Sequence, residues 1–516
     1  MAKKHSVVLI ILDGWGIGTS DFTNPIHQVN PLNINYIKAN FPSGSLQASG
    51  IAVGLPWGEE GNSEVGHLNM GAGKILYQNY PRITLSIKDG SFFYNQSIKD
   101  AFKHAKTNNS SVNILGLLTS ANVHSSFEHL EALLKFAEKE NFPKERVNLH
   151  LITDGRDSPP ESALKILNNL PDKSQIASVS GRYYAMDRDN HWDRTKLTYD
   201  MLIGNGLIVD DYDSHIKSTY QKNLNDEYVL PALINPARPI KENDSLIFFN
   251  FREDRMRQIV KSFIDKKFDK FPVKNFENLH AVAMIKYGND FDAPIIFPPD
   301  KIENPLSKIL SDNGKIQWRI AETEKYAHIT YFFNGQNEAP FPNEYRVLIP
   351  SKVEFKYDEH PEMRAEEITT RLIEAIQEKS YDFILANYAN ADIIAHTGNF
   401  KATAEAIKII DAEIGKLTQV VLANDAYMII TSDHGNAERL LNPQTGEPET
   451  KHDASPVPIY LIGNEFKRKR NSEEIKNAEK SPSGVLADIS PTVLELLGVP
   501  KPKEMTAQSL LELLLD

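Results

Sequence analysis

Short apolar runs separated by polar loops recur along the chain. Residues 6–12 read Ser-Val-Val-Leu-Ile-Ile-Leu, and similar runs occupy 112–118, 147–153, 176–180, 245–251, 381–388, 426–432 and 455–461. An uninterrupted apolar run such as the first predicts a strand buried on both faces, as in a parallel sheet. Residues 127–140 and 366–378 carry helical spacing, and residues 31–50 read as a helix followed by a short strand. Strand, polar loop and helix in repetition predict an α/β fold with a largely parallel sheet. Residues 288–305, punctuated by glycine and proline, predict a linker. No internal repeat or low-complexity segment interrupts the pattern.

The loops after these runs carry the polar chemistry. The first strand ends at Asp13-Gly14-Trp15-Gly16, and open α/β sheets bind ligands at the carboxyl ends of their strands. Arg156, Arg182, Arg188, Arg194, Arg252 and Arg255 all follow apolar runs within a few residues. Guanidinium forks match carboxylate and phosphate oxygens. One such arginine ordinarily makes a surface ion pair. Six at comparable loop positions, in a chain of net charge −12, predict a pocket for a small, multiply charged anion. The same net charge argues against non-specific nucleic-acid binding.

Two further stretches stand out. In Gly61-Asn62-Ser63-Glu64-Val65-Gly66-His67, Ser63 sits where a helix starts. It reads either as an N-cap or as a nucleophile whose phosphate would rest on the helix N-terminus. Asp392 and His396 are spaced to share one helical face, Asp433-His434 ends the strand at 426–432, and His452 precedes the run at 455–461. Each histidine alone reads as a satisfied surface or core group, whereas the set suits a divalent metal.

Size and composition set outer bounds. With 516 residues, two or more domains are expected. Hydrophobic content of 41% and charged content of 24% are those of a globular protein. No apolar run is long enough for a bilayer, and residues 6–12 lack a signal peptide's cleavage site. The chain has no cysteine, which excludes disulfides and thiolate chemistry and fits a reducing cytoplasm.

Taken in order from about residue 6 to residue 510, several motifs carry a resemblance. They are Asp13-Gly14-Trp15-Gly16, the Gly61–His67 stretch, Asp154-Gly155-Arg156-Asp157, Gly181-Arg182-Tyr183-Tyr184-Ala185-Met186-Asp187-Arg188, Phe249-Asn250-Phe251-Arg252, Ala321-Glu322-Thr323-Glu324-Lys325-Tyr326-Ala327-His328 and Ser432-Asp433-His434-Gly435-Asn436. Together they resemble the 2,3-bisphosphoglycerate-independent (cofactor-independent) phosphoglycerate mutase family of the alkaline-phosphatase-like superfamily. The resemblance implies interconversion of 3-phosphoglycerate and 2-phosphoglycerate through a phosphoserine on Ser63, with two divalent metals and no bisphosphoglycerate cofactor. It implies one metal on Asp13, Ser63, Asp433 and His434, and the other on Asp392, His396 and His452. It further implies substrate contacts from His124, Arg156, Asp157, Arg188, Arg194, Arg252, Arg255 and Lys325, with Asp157 as general acid or base. Histidine ligands favour Mn²⁺, with Zn²⁺, Co²⁺ and Mg²⁺ as alternatives.

The implied ligands come from both ends of the chain. They converge only if residues 1–77 and 301–516 build one phosphatase-like α/β domain, with residues 78–300 as an inserted α/β substrate-binding domain and the site in the cleft between them. A cytoplasmic monomer acting on phosphoglycerate, without nucleic-acid or membrane partners, completes the expectation. Phosphopentomutase, phosphatase and sulfatase are the alternatives within the same superfamily. Two stretches depart from the family pattern. Thr119-Ser120-Ala121-Asn122-Val123-His124-Ser125-Ser126 replaces Ser-Asp-Gly-Gly-Val-His-Ser-His, and Asp453-Ala454-Ser455 replaces Thr-Thr-Asn. Neither removes an implied ligand.

Overall fold

The computed structural model describes residues 5–288, 292–352 and 356–515; residues 1–4 and residues 289–291 of the expected linker lie outside the described residues. The chain divides into two compact units, one from residues 1–78 and 301–516, the other from residues 79–300.

The first unit is built on an eight-stranded sheet. Its strand order is Glu344–Ile349, Gln317–Glu322, Phe383–Tyr388, Val7–Leu12, Tyr427–Thr431, Val457–Ile462, Ser43–Gln47 and Gly484–Val485. The first five run parallel, Val457–Ile462 is antiparallel to both of its neighbours, and Gly484–Val485 is parallel to Ser43–Gln47. All six residues of Val7–Leu12 are buried, because the strand is paired on both edges and covered on both faces. Val8, Ile10 and Leu12 pack with Ile368, Leu372, Ile407 and Ile414 on one side. Val7, Leu9 and Ile11 pack with Met70, Leu306, Ile489 and Val493 on the other. Each such aliphatic side chain removed from water is worth about 1.5–3 kcal/mol, which explains why the run shows no polar alternation.

The second unit has a seven-stranded sheet ordered Leu207–Ile208, Ala232–Leu233, Ile176–Gly181, Val147–Thr153, Val112–Leu118, Ser245–Phe248 and His280–Ala283. Only the pairing of Ile176–Gly181 with Ala232–Leu233 is antiparallel. The run at 245–251 was expected to be strand throughout, yet the strand ends at Phe248. Past that point the Asn250 side chain accepts the Leu117 N–H at 2.9 Å. A side-chain oxygen thus continues what the ladder began, and Phe249 and Asn250 stay fully buried without being strand.

Candidate active site

Four adjacent parallel strands of the first unit deliver polar side chains at their carboxyl ends. Asp13 follows Val7–Leu12, Asp433 and His434 follow Tyr427–Thr431, Asp392 lies on the helix Asn390–Ala395 after Phe383–Tyr388, and Lys325 lies on the helix Thr323–Ala327 after Gln317–Glu322. Gly14, at φ +71°, permits their convergence: a Cβ there would fall 2.7 Å from the Asp392 Cβ. His396 closes the turn begun by Asp392, its N–H bonding the Asp392 carbonyl at 3.1 Å.

Ser63 is not the N-cap of its helix. Asn62 caps Ser63–Ala72 by accepting the Val65 N–H, so Ser63 occupies the first helical position and its hydroxyl is free to face the carboxylates. Its Oγ lies 2.9 Å from His434 Nε2, accepts from Lys325 Nζ at 2.8 Å, and lies 3.3 Å from Asp13 Oδ1. Lys325 also donates to Asp13 at 2.6 Å and to Asp392 at 2.7 Å.

The charge balance is lopsided. Asp13, Asp392 and Asp433 are all buried and face one ammonium. Burial and the neighbouring Asp433 push the Asp13 carboxyl well above its usual range. Burial also acts against ionised Asp392, but the Lys325 ammonium, with the imidazoles of His396 and His452 beside it, outweighs it and holds its pKa well down. Burial opposes the charged form of Lys325 too, and Asp13, Asp392 and Asp433 overcome it, so the ammonium persists. The Oδ2 of Asp433 lies 3.3 Å from His67 Nδ1 and 3.4 Å from His434 Nε2. Three buried carboxylates facing one lysine suit additional positive charge.

Histidine tautomers, assigned from their partners, point the same way. His434 Nδ1 bonds the Gly435 carbonyl at 3.2 Å, His452 Nδ1 that of Gly61 at 2.8 Å, and His396 Nδ1 that of Thr450 at 2.8 Å. Each backbone carbonyl fixes the proton on Nδ1 and leaves Nε2 as the ligand atom, the arrangement metal-binding imidazoles use. The Nε2 atoms of His396 and His452 lie 3.1 Å apart, and 3.2 and 3.4 Å from Asp392 Oδ1. Two nitrogens and a carboxylate oxygen converging this way draw in a proton or a metal cation. Asp13, Asp433 and His434 offer ligand atoms within 4.8 Å of one another, and so do Asp392, His434 and His452. His434 therefore borders both groups, rather than only the one assigned to it from sequence. The residues fit divalent metal binding.

In the second unit, the loop after Val147–Thr153 is wound around Asp154, which accepts the backbone N–H groups of Arg156, Asp157 and Ser158. Arg182 bridges Asp154 and Asp157 at 2.5 and 2.6 Å and is itself buried. Of the six arginines read as an anion pocket, it is committed to holding the loop. Arg188 and Arg252 reach Asp254 at 2.9 and 3.3 Å. His124 lies 3.7 Å from Asp157 and 3.6 Å from Asp254. Burial, helped by Arg182, lowers the His124 pKa to about 4, so it is neutral at pH 7. Arg194 stacks 4.0 Å over the Tyr183 ring and lies 3.4 Å from Asp187. Arg255 bonds the Met186 carbonyl at 3.3 Å, and Arg156 is exposed. Burial comes first among the causes depressing the Arg255 pKa, followed by Arg182, Arg188 and Arg156, which marks a concentration of positive charge.

The Metalloenzyme superfamily profile matches residues 5–501. A 2,3-bisphosphoglycerate-independent phosphoglycerate mutase 1 of Methanosarcina barkeri is 44% identical, over 98% of each chain. The corresponding mutase of Clostridium botulinum is 43% identical over 99% of this chain and 100% of its own length. This chain belongs to the 2,3-bisphosphoglycerate-independent phosphoglycerate mutase family. Among solved structures, a Leishmania mexicana phosphoglycerate mutase at low cobalt concentration aligns at 26% identity and TM-score 0.52, over 98% of this chain and 97% of that one.

Several residues of this mutase-family site went unread in the sequence. Asn387 donates to Asp13 Oδ2 at 2.8 Å and lies 3.0 Å from His67 Nε2, while His67 Nδ1 bonds the Ser63 carbonyl at 2.8 Å. His67 is thereby satisfied at both nitrogens and braces the helix that carries Ser63. Asp254, which gathers His124, Arg188 and Arg252, sits inside the arginine motif and was masked by it. Among the described residues, no helix is long and apolar enough to cross a membrane.

Proposed function

We propose that the chain interconverts 3-phosphoglycerate and 2-phosphoglycerate by way of a phosphoryl group held transiently on Ser63. The observation that carries this reading is the Ser63 hydroxyl, buried at a helix start between Lys325 and His434 and facing three carboxylates.

Asp13, Ser63, Asp433 and His434 would hold one divalent ion, and Asp392, His396 and His452 a second. Such ions lower the pKa of a bound hydroxyl and offset charge on a transferring phosphoryl group. Imidazole with carboxylate favours Mn²⁺ here, with Co²⁺, Zn²⁺ and Mg²⁺ as alternatives.

The remaining roles belong to the chain's own side chains. Ser63 Oγ would attack phosphorus as the alkoxide, its proton already lost to solvent; the bond to the glycerate 3-oxygen breaks, and that oxygen takes a proton from Asp157, which enters the step in its acid form. Asp157 then takes the proton of the 2-hydroxyl and returns to its acid form, while that oxygen attacks the phosphoserine and releases the Ser63 alkoxide for the next cycle. Arg156, Arg188, Arg194, Arg252 and Arg255 with His124 would hold the glycerate carboxylate and phosphate oxygens, so the dephosphorylated acid is not lost to solvent. Lys325 would contact the phosphoryl oxygens as a fixed positive charge. We thus assign phosphoryl transfer to residues 1–77 and 301–516, and substrate binding to residues 78–300. The lack of cysteine suits a cytoplasmic setting.

An enolase-coupled assay on 3-phosphoglycerate, with no bisphosphoglycerate added, tests the reading. Turnover restored by Mn²⁺ after metal stripping is the expected result. Release of free phosphate with no 2-phosphoglycerate would make the chain a phosphatase instead.

A further inference from the structure

We propose that Glu438 is a positioning residue that sets the site's metal affinity by clamping its two ligand-bearing loops together. The inference rests on the metal-dependent reading above.

Glu438 is fully buried and has no part in the chemistry just described. Its Oε2 accepts two backbone N–H groups at once, from Gly16 at 2.9 Å and from Asn436 at 2.8 Å. Gly16 closes the loop that begins at Asp13, and Asn436 closes the loop that begins at Asp433 and His434. One oxygen atom therefore ties together loops leaving two neighbouring strands. The Asn436 side chain carries the link to a third element, donating to Asp392 Oδ1 at 2.8 Å. Ligands from both proposed metal positions hang on this one carboxylate.

The sequence makes room for it. A Cβ at Gly16 would lie 2.2 Å from the Glu438 carboxyl carbon, and one at Gly435 would lie 2.1 Å from its Oε1. Two glycines on separate loops thus cradle the same carboxylate, so the clamp is a three-part fit. Residues that orient metal ligands without touching the ion commonly alter affinity about 10–100-fold when changed.

What the clamp needs is an acceptor oxygen at the right reach, not a particular charge. Glu438→Gln keeps that oxygen, whereas Glu438→Asp withdraws it by one methylene. Mn²⁺ titrated calorimetrically into metal-stripped protein, with metal-free melting recorded in parallel, separates the possibilities. We expect E438Q to bind within about threefold of wild type and E438D about tenfold or more weakly, with metal-free melting of the two variants alike. E438D at wild-type affinity, or E438Q as weak as E438D, overturns the proposal. Should E438D fail to fold, G16A displaces the carboxylate from the other side, and wild-type affinity in G16A is equally fatal. Wild-type protein that binds no Mn²⁺ defeats the metal reading itself, an outcome distinct from any of these.

Discussion

The carboxylate and histidine cluster around Ser63 and the arginine-bearing loops of residues 79–300 handle charge in opposite ways. In the first, Asp13, Asp433 and His434 are wholly buried, and His396, His434 and His452 are fixed by backbone carbonyls. In the second, the Arg188 and Arg252 side chains are 47% and 52% exposed and share Asp254. Buried like charges cannot rearrange cheaply, so the cluster is preorganised. Half-exposed ion pairs are weak, so an arginine can exchange Asp254 for another anion at little cost. On the proposed function, rigidity would suit the group that makes and breaks bonds, and exchangeability the groups that capture the acid.

The largest effect expected from this contrast is in the rigid half. Ser63→Ala should lower mutase turnover by more than about 10³-fold while calorimetry still finds Mn²⁺ binding; normal turnover would eliminate the phosphoserine. Asp392→Asn should weaken Mn²⁺ binding at least about tenfold to a hundredfold, read by the same titration. In the exchangeable half, Arg252→Ala should chiefly raise KM, about tenfold, the loss of one charge-assisted hydrogen bond. An unchanged KM would place Arg252 outside the substrate's reach.

Acid should tax both halves. Burial lowers the pKa of His150 and His129 to about 3 and of His124 and His434 to about 4, against about 6.5 when unfolded. The neutral rings thus contribute their full stability above pH 6.5 and lose it as pH falls toward those lower values. Melting temperature of metal-free protein should be flat from pH 8 to 7 and fall between about pH 6.5 and 4.5; a flat profile there would contradict the burial of these rings. Smallest of all, Asn62→Ala should cost about 1 kcal/mol in chemical denaturation, since it removes only the cap beneath Ser63.

The family and the α/β fold were legible because both are written in local sequence. Buried strands show as unbroken apolar runs, and the candidate site residues sit in short motifs directly after them. The supports were not, because they are contacts over long sequence separations. Asn387 meets Asp13 across more than three hundred residues, and nothing near either residue announces the partner. Ser63 and Asn62 are both good caps, and only the folded backbone decides that Asn62 takes the role. Arg182 looked like its fellow arginines in sequence, yet burial between Asp154 and Asp157 gives it a different task.

The place of Val7–Leu12 between Phe383–Tyr388 and Tyr427–Thr431 has a consequence for synthesis on the ribosome. At about 5–20 residues per second, the first of those partners emerges about 20–75 s after the strand itself. All of residues 79–300, with a sheet of their own, leave the exit tunnel in that interval. The nascent chain therefore carries this apolar hexapeptide without its sheet partners until a segment more than three hundred residues later has been made.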